Sequence, residues 1–152
     1  MERRELLGVL GAGAAGFVAL GGATAHAHPG GHGRDEQIRT LGDCAKVCNE
    51  AAHHCLEQVK KGGPHAEQHV KSHEAAMDCQ AFCALTATLM ARSSPMAPYA
   101  HAACADACRD CAAACQGHQD DVMKACVKAC LECEKMCRQM GKSAGDRPAS
   151  TR

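Results

Sequence analysis

Thirteen cysteines stand in this 152-residue chain at spacings that repeat. Cys104, Cys108, Cys111 and Cys115 follow the pattern i, i+4, i+7, i+11, and Cys126, Cys130, Cys133 and Cys137 follow it again. At about 100° per residue those steps drift by only about +40°, −20° and +20°, so each set forms one thiol stripe about 16 Å long on one helix face. Cys44, Cys48 and Cys55 take the first, second and fourth places of the same template, with Ala51 in the third. Cys79 and Cys83 lie on a stripe that runs His65, His69, Ser72, Ala76, Cys79, Cys83, Thr86, Met90. All thirteen thiols are therefore expected to face one interior. One or two buried thiols could serve as small hydrophobes, but matched stripes on every helix call for soft-metal ligation.

Ligand softness and geometry select among the metals. An all-thiolate interior favours Cu(I), with Zn(II) and iron-sulfur clusters as competitors. Structural zinc usually uses Cys-x2-Cys pairs on turns, whereas Cys-x3-Cys on helices predominates here. Compact iron-sulfur runs ending in proline are absent from the sequence. Cu(I) accepts two sulfurs nearly in line. With metal-sulfur bonds of about 2.3 Å the two sulfurs sit about 4.5 Å apart, within reach of i and i+4 side chains whose Cβ atoms are about 5–6 Å apart. With each thiolate bridging, thirteen thiols accommodate on the order of a dozen ions. A disulfide framework fits poorly. Thirteen is odd, the spacing is helical, and i and i+4 cysteines on one helix cannot easily reach disulfide geometry. An enzyme is not expected, because a thiolate-filled bundle leaves little room for a substrate pocket with an acid-base set.

The elements that must carry these stripes can be read from the punctuation. Asp35 is a plausible N-cap for a helix to about Lys61, which Gly62-Gly63-Pro64 stops. Pro64 suits the first turn of a second helix to about Arg92. Ser93-Ser94-Pro95 makes the next turn, a third helix runs from about Pro98 to Gln116, and a fourth from Asp120 or Asp121 to Gly141. Short connections favour antiparallel neighbours, so the expected fold is all-α, an antiparallel up-down-up-down four-helix bundle with a cysteine-lined core over residues 35–141. Residues 28–34 read as a flexible segment and 142–152 as a disordered tail. Large apolar side chains are few, so bound metal is expected to add stability.

Residues 1–27 read as a leader. Arg3 and Arg4 precede an apolar, glycine-rich run from Gly8 to Gly22 that ends near Ala25-His26-Ala27, a small-x-small cleavage pattern. The segment looks like a twin-arginine export signal, and its run of about 15 apolar residues is shorter than the roughly 20 a spanning helix needs. This places the chain in the periplasm or an internal membrane lumen, with membrane contact only through the export machinery. The formal net charge is zero, so no basic field draws in nucleic acid.

The leader, the four striped helices and the repeated Cys-x3-Cys-x2-Cys-x3-Cys motif together resemble the exported copper storage proteins first recognised in methane-oxidising bacteria, a cysteine-rich four-helix-bundle family. The resemblance covers essentially the whole chain after the leader. It implies a bundle filled with Cu(I), a homotetramer, and supply of copper to a recipient enzyme, the membrane methane monooxygenase. It further implies that a histidine and a methionine near the mouth complete the last copper sites; His65 and Met77 are the best matches, although Met77 flanks its stripe. Copper or soft-metal detoxification and one-ion delivery by a metallochaperone stand as the alternatives.

Overall fold

The computed structural model describes residues 31–145, and four helices account for most of them: α1 (Gly31–Lys61), α2 (Ala66–Ala91), α3 (Ala97–Cys115) and α4 (Asp121–Gly145). Each packs on two others in a closed ring, α1 on α2, α2 on α3, α3 on α4 and α4 back on α1, which is the expected up-down-up-down bundle. The residues expected to form the leader, His28 to Gly30, and residues 146–152 lie outside the described chain. No described helix is long and apolar enough to cross a membrane.

Amphipathic periodicity builds the ring. In α4, Met123, Cys126, Cys130, Cys133 and Cys137 recur at steps of three and four and are fully buried, while Lys124, Lys128, Glu132 and Lys135 stay exposed. In α2 the stripe Ser72, Ala76, Cys79, Cys83, Thr86 and Met90 is buried as its spacing requires. Tight turns close the hairpins. Gly62 and Gly63 hold φ of 71° and 135°, and Gly117 holds 99°, a region a side chain would disfavour. After α2 the chain adopts a Schellman-type stop: Ser93 takes φ of 53°, its amide donates to the Met90 carbonyl at 3.0 Å, and the Ser94 amide donates to Leu89 at 2.9 Å.

Both ends of the expected helical region shift, for physical reasons. Helix α1 begins at Gly31, so Gly31 to Arg34 are helical, not part of a flexible segment, and Asp35 is no N-cap. The Arg34 guanidinium donates to the carbonyls of Met90 and Ala91 and to Ser93 Oγ, tying the first turns of α1 to the carbonyls that end α2. Helix α4 passes through Gly141 and takes in residues 142–145 of the expected tail. Gly141 lies inside α4 beside Ala102 of α3, where a Cβ would meet the Ala102 amide nitrogen at 3.4 Å, and it does not stop the helix. Pro64 lies in the turn, two residues ahead of the start of α2, whose N-cap is His65.

Candidate metal centre

Every one of the thirteen cysteines is a buried free thiol. The helix stripes stack them along the bundle axis. Within a helix, Sγ atoms four residues apart come to 4.0 Å for Cys104 and Cys108, 4.0 Å for Cys111 and Cys115, 3.9 Å for Cys126 and Cys130, and 3.9 Å for Cys133 and Cys137. Across the bundle the approach is as close: 3.5 Å from Cys48 to Cys130, 3.5 Å from Cys79 to Cys108, and 3.5 Å from Cys83 to Cys104. These separations are well beyond the roughly 2.05 Å of an S–S bond and shorter than the roughly 4.5 Å of two in-line ligands, so small rotamer changes admit an ion between them.

Eleven of the thirteen sulfurs fall into four overlapping groups whose members lie within 4.8 Å of one another. Cys104, Cys133 and Cys137 form one, next to Cys44, Cys83, Cys108 and Cys133; then come Cys44, Cys48, Cys79 and Cys130, and last Cys48, Cys111, Cys126 and Cys130. Neighbouring groups share Cys133, Cys44, and the pair Cys48 and Cys130, so the sulfurs form one continuous column. Cys115 joins its lower end at 3.9 Å from Cys126. Cys55 sits beyond, with its thiol 3.6 Å from the Met123 thioether.

Hydrogen bonds among the buried thiols divide the protons unevenly along this column: those with Cys115, Cys126, Cys130 and Cys48 hold Cys111 below the ordinary thiol range, while other thiols are held above it. Burial pushes the Cys55 thiol up to about 11, with the charges of Cys126, Asp120 and Cys111 adding to the effect. Cys108 is held far above the ordinary thiol range by hydrogen bonds with Cys104, Cys133, Cys44 and Cys79. A positive ion reverses that balance by supplying the counter-charge, and binding releases protons.

The two ends of the column hold other ligand types. At the end formed by the start of α1 and the close of α2, a cavity of about 300 Å³ is lined by Arg34, Met90, His101 and Met140 among others. His101 is 2% exposed and its Nδ1 lies 3.4 Å from Cys137 Sγ; burial lowers its proton affinity, which leaves a nitrogen free to ligate. At the opposite end Met123 is 0% exposed over Cys55. His65 and Met77 do not take these places. Met77 is 43% exposed, turned about 100° from the buried Ala76, and His65 is exposed at the N-cap of α2. The methionine and histidine that touch the cysteines are Met123 and His101, both three residues before the first cysteine of a stripe.

The profile of the family described as "Copper storage protein" matches residues 32–142. The chain belongs to that family. The family is one of copper storage proteins, and copper binding follows from membership. Among solved structures, the copper storage family is represented by a Cu(I)-bound copper storage protein, 33% identical, covering 70% of this chain and 96% of its own, with a TM-score of 0.64. A cytosolic copper storage protein from Streptomyces lividans, solved with five coppers, is 26% identical over 74% of this chain and 98% of its own, with a TM-score of 0.62. An uncharacterized cysteine-rich protein of Bacillus subtilis (strain 168) is 37% identical over 86 residues, 55% of this chain and 73% of its own.

Proposed function

We propose that this chain stores Cu(I) at high capacity, on the order of thirteen ions per chain, held by bridging thiolates along the axis of the bundle. The observation that carries this reading is the continuous column itself: overlapping groups with shared sulfurs are redundant for the delivery of one ion and serve the accumulation of many. Anaerobic titration with Cu(I) against a competing chelator tests it. The expected result is uptake of about thirteen ions with similar affinities; saturation near one ion would instead make the protein a metallochaperone.

Arg3 and Arg4 with the apolar run behind them support export through the twin-arginine pathway to the periplasm or an internal membrane lumen. Replacing both (Arg3→Lys, Arg4→Lys) should leave the chain in the cytoplasmic fraction of a host cell; unchanged export would remove this part of the reading. Stored copper would then be available to a membrane copper enzyme such as methane monooxygenase. Assembly into a homotetramer rests on the family resemblance, and sedimentation of the titrated sample tests it: a monomeric species would remove this part of the reading.

A further inference from the structure

The first turns of α1, the close of α2, the start of α3 and the last turns of α4 surround the cavity of about 300 Å³ at one mouth of the bundle. Its lining joins three kinds of chemistry. Met90 and Met140 bring thioethers, His101 brings an imidazole, and Arg34 brings a guanidinium beside Ser93 and Ser94. His101 is 2% exposed, and its Nδ1 lies 3.4 Å from Cys137 Sγ, which belongs to the end group of the sulfur column with Cys104 and Cys133. Gln37 Nε2 donates to Met140 Sδ at 3.4 Å and so restrains that thioether. A molecule seated here is one side chain away from the stored ions. The volume lies at the small end of the roughly 300–1,000 Å³ of small-molecule sites.

Soft ligands alone leave Arg34 unexplained. Among the described residues, all three of its hydrogen bonds come from Nη2, to the carbonyls of Met90 and Ala91 and to Ser93 Oγ, and Nε and Nη1 have no acceptor. Among the same residues no carboxylate pairs with this charge, whereas Arg39, Arg109 and Arg138 each hold one. The bonds to the end of α2 therefore fix the guanidinium at the cavity and leave two of its nitrogens for an anion. Arginine offers a planar fork that matches a carboxylate. A fixed cation beside thioethers and an imidazole suits a molecule that carries both a carboxylate and a soft metal.

We propose that this cavity binds the Cu(I) complex of a small carboxylate-bearing thiol, with Arg34 on the carboxylate and the metal toward His101, and passes the ion to Cys137. The exchange involves no redox step. The bond from copper to the carrier sulfur breaks as a bond to Cys137 Sγ forms, and the proton that Cys137 gives up leaves on the carrier, which departs as a free thiol. Copper stays Cu(I) throughout. Thioether and imidazole hold the ion more weakly than the bridging thiolates behind them, so transfer runs inward. The inference rests on the storage reading and names the form in which the ions arrive.

Loading kinetics of the full chain under anaerobic conditions test it, with protein-bound copper measured after rapid desalting. The Cu(I) complex of glutathione is the anionic donor, and the Cu(I) complex of 2-mercaptoethanol is the donor without a carboxylate. Arg34→Gln should slow loading from glutathione about tenfold and change loading from 2-mercaptoethanol by less than about twofold, because a charge-assisted hydrogen bond is lost for one donor alone. Lys124→Gln, which removes an exposed cation at the start of α4, should alter neither rate. Final Cu(I) capacity should be the same in all three proteins, since no thiol changes. The proposal is overturned if Arg34→Gln slows both donors alike, if it slows neither, or if Lys124→Gln reproduces its selective effect. Capacity by chelator competition is read separately: saturation near one ion refutes storage, while the ratio of the two rates still decides the cavity.

Discussion

Replacing Cys44, Cys48, Cys130 and Cys133 together with alanine should reduce Cu(I) capacity from about thirteen to roughly five, a loss out of proportion to the four thiols removed. Each of these sulfurs belongs to two neighbouring groups. Without them the column breaks into a cluster around Cys79, Cys83, Cys104 and Cys108, a second around Cys111, Cys115 and Cys126, and isolated thiols. A control that removes the same number from the ends, Cys55, Cys104, Cys115 and Cys137, should retain roughly nine ions. Chelator-competition titration of both variants decides the matter. Equal losses would mean that thiols bind independently and that sharing has no role. Alanine is preferred to serine here because a buried hydroxyl would need a partner the sulfur lumen does not supply.

The second large effect concerns stability. Cysteine and alanine make up most of the buried apolar residues, with Leu41, Leu89, Met90 and Met123 as the large ones. Small side chains bury little area, and the apo bundle rests on correspondingly modest hydrophobic burial. An ion at a thousand times its dissociation constant adds about 4 kcal/mol for each site occupied in the folded state alone. Several occupied sites sum to well over 10 kcal/mol, and about 1 kcal/mol moves the midpoint of a domain this size by a few degrees. Full Cu(I) loading should therefore raise the unfolding temperature by more than about 20 °C in anaerobic calorimetry, and chelator stripping should return it. A rise below about 5 °C would show that the ions are held at the surface or that the apo core is already sufficient.

Much of this architecture was legible from periodicity. The 0, 4, 7, 11 template located the inward face of every helix, and glycine and proline located every turn, because both signals are local to one element. The misreadings concern contacts between elements. Gly31 to Arg34 look flexible by composition, yet Arg34 fastens them to the end of α2. Gly141 reads as a terminator, yet it is the point where α4 approaches Ala102. His65 and Met77 were matched by family likeness, while their own helix turns Met77 outward. Met123 and His101 were legible in the sequence, because each stands one further turn along a cysteine stripe, three residues before its first cysteine.

The sulfurs stand on helices joined by tight turns, and none of the thirteen is carried by a loop. Filling and emptying the protein therefore requires side-chain rotations and no remodelling of the backbone. A vessel whose walls keep their shape whether charged or discharged can go through repeated cycles without ever presenting a sticky, half-open intermediate to its surroundings.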